Sequence, residues 1–220
     1  AQNIGLGAHK ITAIPNGLNC ESFNKSVTVS RSDLFPSYKK NHFIFVMVGR
    51  LAPVKNHVRV LHAMAKLKEV EPNARLVIAG KGPVENQLRI LIEELNLQSE
   101  VELLGFRTDI PNILKVVDAY LMPSAREGLP MALMEAMVSS LPVVTSNRAG
   151  MRELVPDESI GYLVDPHSID SIYQGMLKAV KDEPESRQKK IKNARQRILE
   201  KYSSHVMIKN YETLYRKILK

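Results

Sequence analysis

Two carboxylates and two cations are the residues here whose types and spacing could do chemistry. In Glu127-Gly128-Leu129-Pro130-Met131-Ala132-Leu133-Met134-Glu135-Ala136-Met137, every position from Met131 to Val138 is apolar except Glu135. A carboxylate inside such a helix is desolvated, and leaving it unpaired is costly. It therefore calls for a partner, either a basic side chain or the hydroxyls of a ligand. Pro130 suits the first position of a helix, where its missing N–H costs nothing, and Gly128 lets backbone come close to a ligand. A loop that follows a strand and opens a helix in this way presents free N–H groups, an anion site at the carboxyl edge of a parallel sheet. On this reading Glu135 lies roughly 9 Å from the helix start, at ~1.5 Å per residue. That is about the span from a bound phosphate to the ribose of the same nucleotide, and carboxylates that accept from ribose hydroxyls are a device of dinucleotide-binding sheets.

The cations stand in Gly49-Arg50-Leu51-Ala52-Pro53-Val54-Lys55, straight after an apolar strand pattern. A diphosphate leaving group needs fixed positive charge in such a place. Taken singly, an Arg or Lys after a strand is more often a solvated surface residue. Gly80-Lys81-Gly82-Pro83 lacks the third glycine of a dinucleotide fingerprint and reads as a tight strand–helix turn. Among the histidines only His57 and His62 are near each other, and their spacing does not share a helical face. His57 reads as a solvated histidine near a helix start.

The elements that must position these residues follow from periodicity. Strands are expected at Phe43–Val48, Arg75–Ala79, Val101–Leu104, Val117–Met122, Pro142–Thr145 and Gly161–Val164. Phe43–Val48 is apolar on both alternating faces, which suits a strand covered by helices on both sides. Val84, Leu88, Leu91, Ile92 and Leu95 mark one face of a helix, as do Val60, Leu61, Met64 and Leu67. Strand–helix alternation of this kind implies right-handed crossovers. The fold class is α/β, a doubly wound, six-stranded, parallel Rossmann-like sheet with C-terminal helices.

Three regions are expected along the chain. Residues 1–41 form a leading segment with one strand, Lys10–Ile14, a turn at Pro15-Asn16-Gly17 and a polar loop over Asn24–Asn41. Residues 42–182 form the Rossmann-like domain. Residues 183–220 carry a basic helix, Arg187–Lys201, and a last helix opening at Ser203 or Ser204. The last helix bears a stripe of Met207, Tyr211, Leu214, Tyr215 and Ile218, which packs either on the domain or on something absent from this chain.

Composition bounds the rest. With 220 residues, 44% of them apolar and 25% charged, the chain is neither disordered nor collagen-like. No apolar run approaches the ~20 residues of a membrane span, and Ala1–Lys10 shows no secretory signal pattern. A single cysteine, Cys20, excludes an internal disulfide and every multi-cysteine metal site and points to a reducing cytosol. From Arg187 to Lys220 eleven Lys/Arg meet two Glu, a local balance of +9, whereas residues 1–186 balance at −1. The basic character belongs to the tail, which weakens the case for a basic groove across the domain; no nucleic acid is expected as partner, and a basic-tail membrane or nucleic-acid binding module stands as the alternative from another class. A salt-sensitive contact of the tail with an anionic membrane surface suits that charge.

The ordered set Gly49-Arg50…Lys55, Gly80-Lys81-Gly82-Pro83, Leu104-Gly105-Phe106 and Glu127–Glu135, with seven residues between the carboxylates, resembles family 4 glycosyltransferases, the large retaining group with the GT-B fold. Pro142-Val143-Val144 and Gly150…Glu153 continue the match, and Ile14-Pro15-Asn16-Gly17 is similar to the segment that opens that family's second domain. The resemblance implies that Arg50 and Lys55 clamp the diphosphate of a UDP-, GDP- or ADP-sugar donor while Glu127 contacts the donor sugar, these three forming the catalytic set. It implies that Glu135 meets the ribose and that the backbone of Gly128, Leu129, Met131 and Ala132 lines the phosphates and sugar. Gly105, Phe106 and Arg107 would flank the base, beside Gly49. It further implies metal-independent hexosyl transfer to a glycan or lipid-linked acceptor, in the cytoplasm or at the inner face of its membrane. The acceptor would be held by a preceding half that 220 residues cannot also encode. Sugar-nucleotide epimerases share that two-half architecture and stand as the enzymatic alternative. Asn56 departs from the family's usual glycine, which makes the backbone there less free, and Lys81 replaces a frequent aspartate.

Overall fold

The computed structural model describes residues 11–24 and 29–219. Six parallel strands form its centre: β1 (Phe43–Val48), β2 (Ala74–Ala79), β3 (Val101–Gly105), β4 (Ala119–Met122), β5 (Val143–Ser146) and β6 (Tyr162–Val164), in the order β3-β2-β1-β4-β5-β6. β1 pairs with β2 on one side (Phe45 opposite Leu76) and with β4 on the other (Phe45 opposite Ala119). The chain therefore winds outward in both directions from the β1/β4 boundary, and such a switch point leaves a crevice at the carboxyl ends of the strands.

Strand alternation divides the interior into two layers. Ile44, Val46, Tyr120 and Met122 point into one, against α5 (Ile110–Val116), α6 (Met131–Val138), α7 (Ala149–Leu154) and α9 (Pro184–Lys201). Phe45, Met47, Ala119 and Leu121 point into the other, against α3 (His57–Val70), α4 (Glu85–Glu94) and α8 (Ile169–Lys181). Both faces of the central strands are dry, which is why their sequences read as continuous apolar runs.

The strand expected from Val117 begins two residues later, because α5 runs to Val116 and Asp118 is used as a staple. Asp118 Oδ2 accepts from Ile44 N at 2.8 Å and Oδ1 from Arg31 Nη2 at 2.8 Å, while Arg31 also donates to Val116 O and His42 O. Arg31 belongs to a short helix, α2 (Arg31–Leu34), closed by a Ser30/Asp33 capping box inside the stretch expected to be loop. Another short helix, α1 (Glu21–Asn24), also enters that stretch. Of the expected Lys10–Ile14 strand, Lys10 lies outside the described residues and residues 11–14 form no strand; no turn forms at Pro15-Asn16-Gly17. Instead Leu18 bridges Ser203, with Leu18 N donating to Tyr202 O at 2.7 Å and Ser204 N to Leu18 O at 2.9 Å.

At the other end α9 buries Ala194 and Ile198 against the sheet layer of α6. The last helix, α10 (Ser204–Ile218), is capped by Ser203 and buries none of its residues. Tyr211, Tyr215 and Ile218 of its apolar stripe are exposed, as is Ile208 beside it, while Met207 and Leu214 are half-buried. No helix of the described residues is long and apolar enough to cross a membrane.

Candidate active site

Both cations follow β1 at the switch point. Gly49 takes φ 149°, a conformation that favours glycine, and its N–H closes onto Ala79 O at 3.0 Å. Arg50 is exposed and has no ion-pair partner among the described residues. It lines a cavity of about 300 Å³ over the ends of β1, β2 and β3, together with Gly49, Gly80, Phe106, Arg107 and Ile110. A 3₁₀ turn, Pro53–Lys55, then returns Lys55 towards Gly49, so that a Cβ on Gly49 would lie 3.5 Å from Lys55 Nζ.

The carboxylates come from the loop after β4. Lys55 Nζ lies 2.8 Å from Glu127 Oε1, and both side chains are mostly buried. The approach is an ion pair off the hydrogen-bonding axis, which leaves the solvent-shielded Oε1 without a hydrogen-bond donor. Pro130 proves to be the cap rather than the first residue of α6, one position from expectation, and no side chain caps that helix start. Gly128 is exposed, with open space where a Cβ would stand, while Leu129, Met131 and Ala132 are half-buried.

Glu135 lies on α6 behind this start. Burial raises its carboxyl above the ordinary carboxylate value, and that carboxyl has neither an ion pair nor a hydrogen bond among the described residues. Of its two expected kinds of partner, a basic side chain is thus not supplied by the described residues; Lys55 pairs with Glu127 instead. Near both carboxylates stands Tyr120, which the sequence reading missed. It is fully buried, its hydroxyl points to Val48 O at 3.4 Å, and burial together with Glu135 and Glu127 holds its phenol protonated. Nothing local distinguishes Tyr120 from any aromatic core residue of a strand.

The third strand end completes the rim. Gly105 adopts φ 65°, Phe106 is 71% exposed, and Arg107 is held by a two-pronged contact with Asp109 at 2.7 and 2.6 Å. That contact keeps the Asp109 carboxyl below its ordinary value. Lys81 lines the same cavity. Arg50, Lys55 and the Glu127 loop thus meet at one edge of the sheet, with Gly49 common to the clamp and the cavity. A wider hollow of about 560 Å³ opens at the opposite, amino edge, but its Arg31 and Asp118 are paired with each other.

Two expectations change. His57 is not solvated: it is 3% exposed, and burial, with Lys55 adding to it, lowers its imidazole to about 4, so the ring is neutral. Asn56 does not constrain the backbone, since it adopts the left-handed conformation (φ 63°) that asparagine tolerates. Gly150 also has a role beyond the resemblance that included it. A Cβ there would lie 2.0 Å from Gly128 O and 2.4 Å from Glu127 O, so the start of α7 supports the Glu127 turn from beneath.

The strand order and the switch-point crevice are those of a Rossmann-like fold, and this fold matches solved glycosyltransferase structures of the GT-B type. Solved structures superpose accordingly. A glycosyltransferase from Rickettsia africae matches 98% of this chain and 59% of its own at TM-score 0.87 and 22% identity. Anabaena HepE, solved with UDP-glucose, matches 98% and 60% at TM-score 0.85 and 24% identity. The chain belongs to the glycosyl transferases group 1, whose family pattern matches residues 31–197. An Escherichia coli relative, UDP-Gal:alpha-D-GlcNAc-diphosphoundecaprenol alpha-1,3-galactosyltransferase, is 37% identical over 79% of this chain and 46% of its own. A Campylobacter jejuni relative, N-acetylgalactosamine-N,N'-diacetylbacillosaminyl-diphospho-undecaprenol 4-alpha-N-acetylgalactosaminyltransferase, is 32% identical over 83% and 47%. The chain spans about half the length of these curated relatives.

Proposed function

We propose that this chain is the donor-binding half of a retaining, metal-independent family 4 glycosyltransferase, which moves a hexosyl group from a nucleoside-diphosphate sugar to a glycan or lipid-linked acceptor. The observation that carries the reading is Glu135, a desolvated carboxylate without a side-chain partner among the described residues, behind an uncapped helix start beside Lys55 and Glu127. In this reading Glu135 accepts from the ribose hydroxyls. Arg50, Lys55 and the first N–H groups of α6 stabilise the diphosphate as the bond from the sugar's anomeric carbon to the phosphate oxygen breaks and the electron pair stays on that oxygen. These fixed charges stand where other transferases place a divalent ion. Glu127 contacts the donor sugar, and Gly128, Leu129, Met131 and Ala132 line the path between sugar and phosphates. Gly49, Gly105, Phe106 and Arg107 flank the base.

The names of the Escherichia coli and Campylobacter relatives, both built on an undecaprenol-linked diphosphate, support the lipid-linked class of acceptor. The acceptor is proposed to bind on a preceding half of the protein, which would also cover the exposed stripe of α10. The cations of α9 and α10 would attract an anionic membrane at its cytoplasmic face, and vesicle co-sedimentation unchanged by salt would dismiss that contact.

The direct test titrates UDP, GDP and ADP against the chain by calorimetry. One of the three is expected to bind, without sugar transfer by the chain alone, and Lys55→Ala or Glu135→Ala should weaken it about tenfold or more. Binding of none, or binding untouched by both substitutions, would overturn the reading.

A further inference from the structure

Asn56, directly after the Lys55 turn, is 4% exposed, and its side chain makes three hydrogen bonds, one of them to the loop that carries Glu127. Its Nδ2 donates to Pro123 O and to Pro166 O, each at 2.8 Å, and its Oδ1 accepts from Arg59 Nη1 at 2.8 Å. The orientation of the amide is unambiguous, since a guanidinium only donates and carbonyls only accept. Pro123 is the first residue after β4, on the way to Glu127, and Pro166 follows β6. Alongside, Ala125 N donates to Val54 O at 2.8 Å. The turn that carries Lys55 and the loop that carries Glu127 are therefore joined at two points besides the Lys55–Glu127 contact.

We propose that Asn56 is the positioning residue of the donor site: its amide ties the Lys55 turn to the Glu127 loop and sets the separation between cation and carboxylate that the diphosphate meets. The proposal rests on the donor-site reading above for its ligand, but the tie itself does not depend on it. Asparagine combines two properties the position needs. It tolerates the left-handed backbone (φ 63°), and it supplies two donors to carbonyls that would otherwise be buried without partners. Glycine offers only the first. Aspartate would set carboxylate oxygens against both carbonyls.

Asn56→Gly keeps the backbone conformation, so the variant is expected to fold. Hydrogen exchange reads the tie without any ligand. In Asn56→Gly the Ala125 amide should exchange about tenfold faster or more, while amides between β2 and β3 keep their rates. With whichever of UDP, GDP or ADP the wild type binds, Asn56→Gly should weaken affinity about tenfold (~1.4 kcal/mol), and Asn56→Asp more than that. On a Lys55→Ala background, Asn56→Gly should cost less than about twofold, because the tie acts through Lys55. A general loss of stability would weaken both backgrounds alike. Unchanged Ala125 exchange, or an equal loss with and without Lys55, would overturn the proposal. If the wild type binds none of the three nucleotides, the functional reading fails while the Ala125 exchange still decides the role of Asn56.

Discussion

At the scale of single residues, Glu135 and His57 set opposite pH dependences. Burial raises the Glu135 carboxyl, so the folded chain holds that proton more tightly than the unfolded one. Its contribution to stability therefore falls as pH rises from the ordinary ~4.3 through the raised value. Glu135→Gln should melt higher than the wild type at pH 7, with the difference closing near pH 4; a lower melting temperature at pH 7 would mean that the carboxylate has a partner after all. For His57 the folded value is lowered to about 4, so the unfolded chain binds the proton first and stability is lost as pH falls from the ordinary ~6.5 towards that value. The loss amounts to up to ~3 kcal/mol at the acid end, and His57→Gln should flatten that limb of a pH–melting profile. The carboxylate was legible in the sequence because a charge in an otherwise apolar helix is conspicuous. The histidine was not, since its burial depends on which helices enclose the turn at Lys55.

At the scale of elements, the strands and crossover helices follow the apolar periodicities to within a residue or two, and the largest shift of a strand start, at β4, comes where a side chain from elsewhere intervenes. Arg31 and Asp118 are the clearest case, joining α2 to the residues before β1 and β4. Arg31→Ala removes three hydrogen bonds and should cost about 2 kcal/mol, read as a melting temperature some ~4–8 °C lower. Nucleotide affinity should stay within about twofold, because the staple lies at the amino edge and the site at the carboxyl edge. The start of α7 behaves in the opposite way. In Gly150→Ala the new methyl would meet Gly128 O at 2.0 Å, and backbone cannot yield as a flexible side chain does. The Glu127 turn must shift, so affinity for a nucleoside diphosphate should fall about tenfold or more, since a displacement of even ~1 Å is felt at a preorganised site. Calorimetry on that variant, beside its melting curve, separates displacement from unfolding.

At the scale of the molecule, the domain is complete as far as α9, whose Ala194 and Ile198 close one layer of the core, whereas α10 contributes no buried residue. Deleting residues 208–220 should therefore change the melting temperature by less than about 2 °C and leave nucleotide binding intact; a large drop would show that the helix supports the domain it leaves. The exposed stripe and the tail's balance of +9 are then surfaces for something other than this domain's own core.

What the sequence by itself determined is whatever short-range pattern encodes: alternating strands buried on two faces, the helices between them, and a carboxylate and two cations placed just past strand ends. The tertiary structure alone decided which of these charges meet. It paired Lys55 with Glu127 and gave Glu135 no side-chain partner among the described residues, brought Asn56 to carbonyls of Pro123 and Pro166, and set Gly150 against the Glu127 turn. Those contacts join residues far apart along the chain, and a distance through space leaves no mark on local periodicity until the sheet has closed around it.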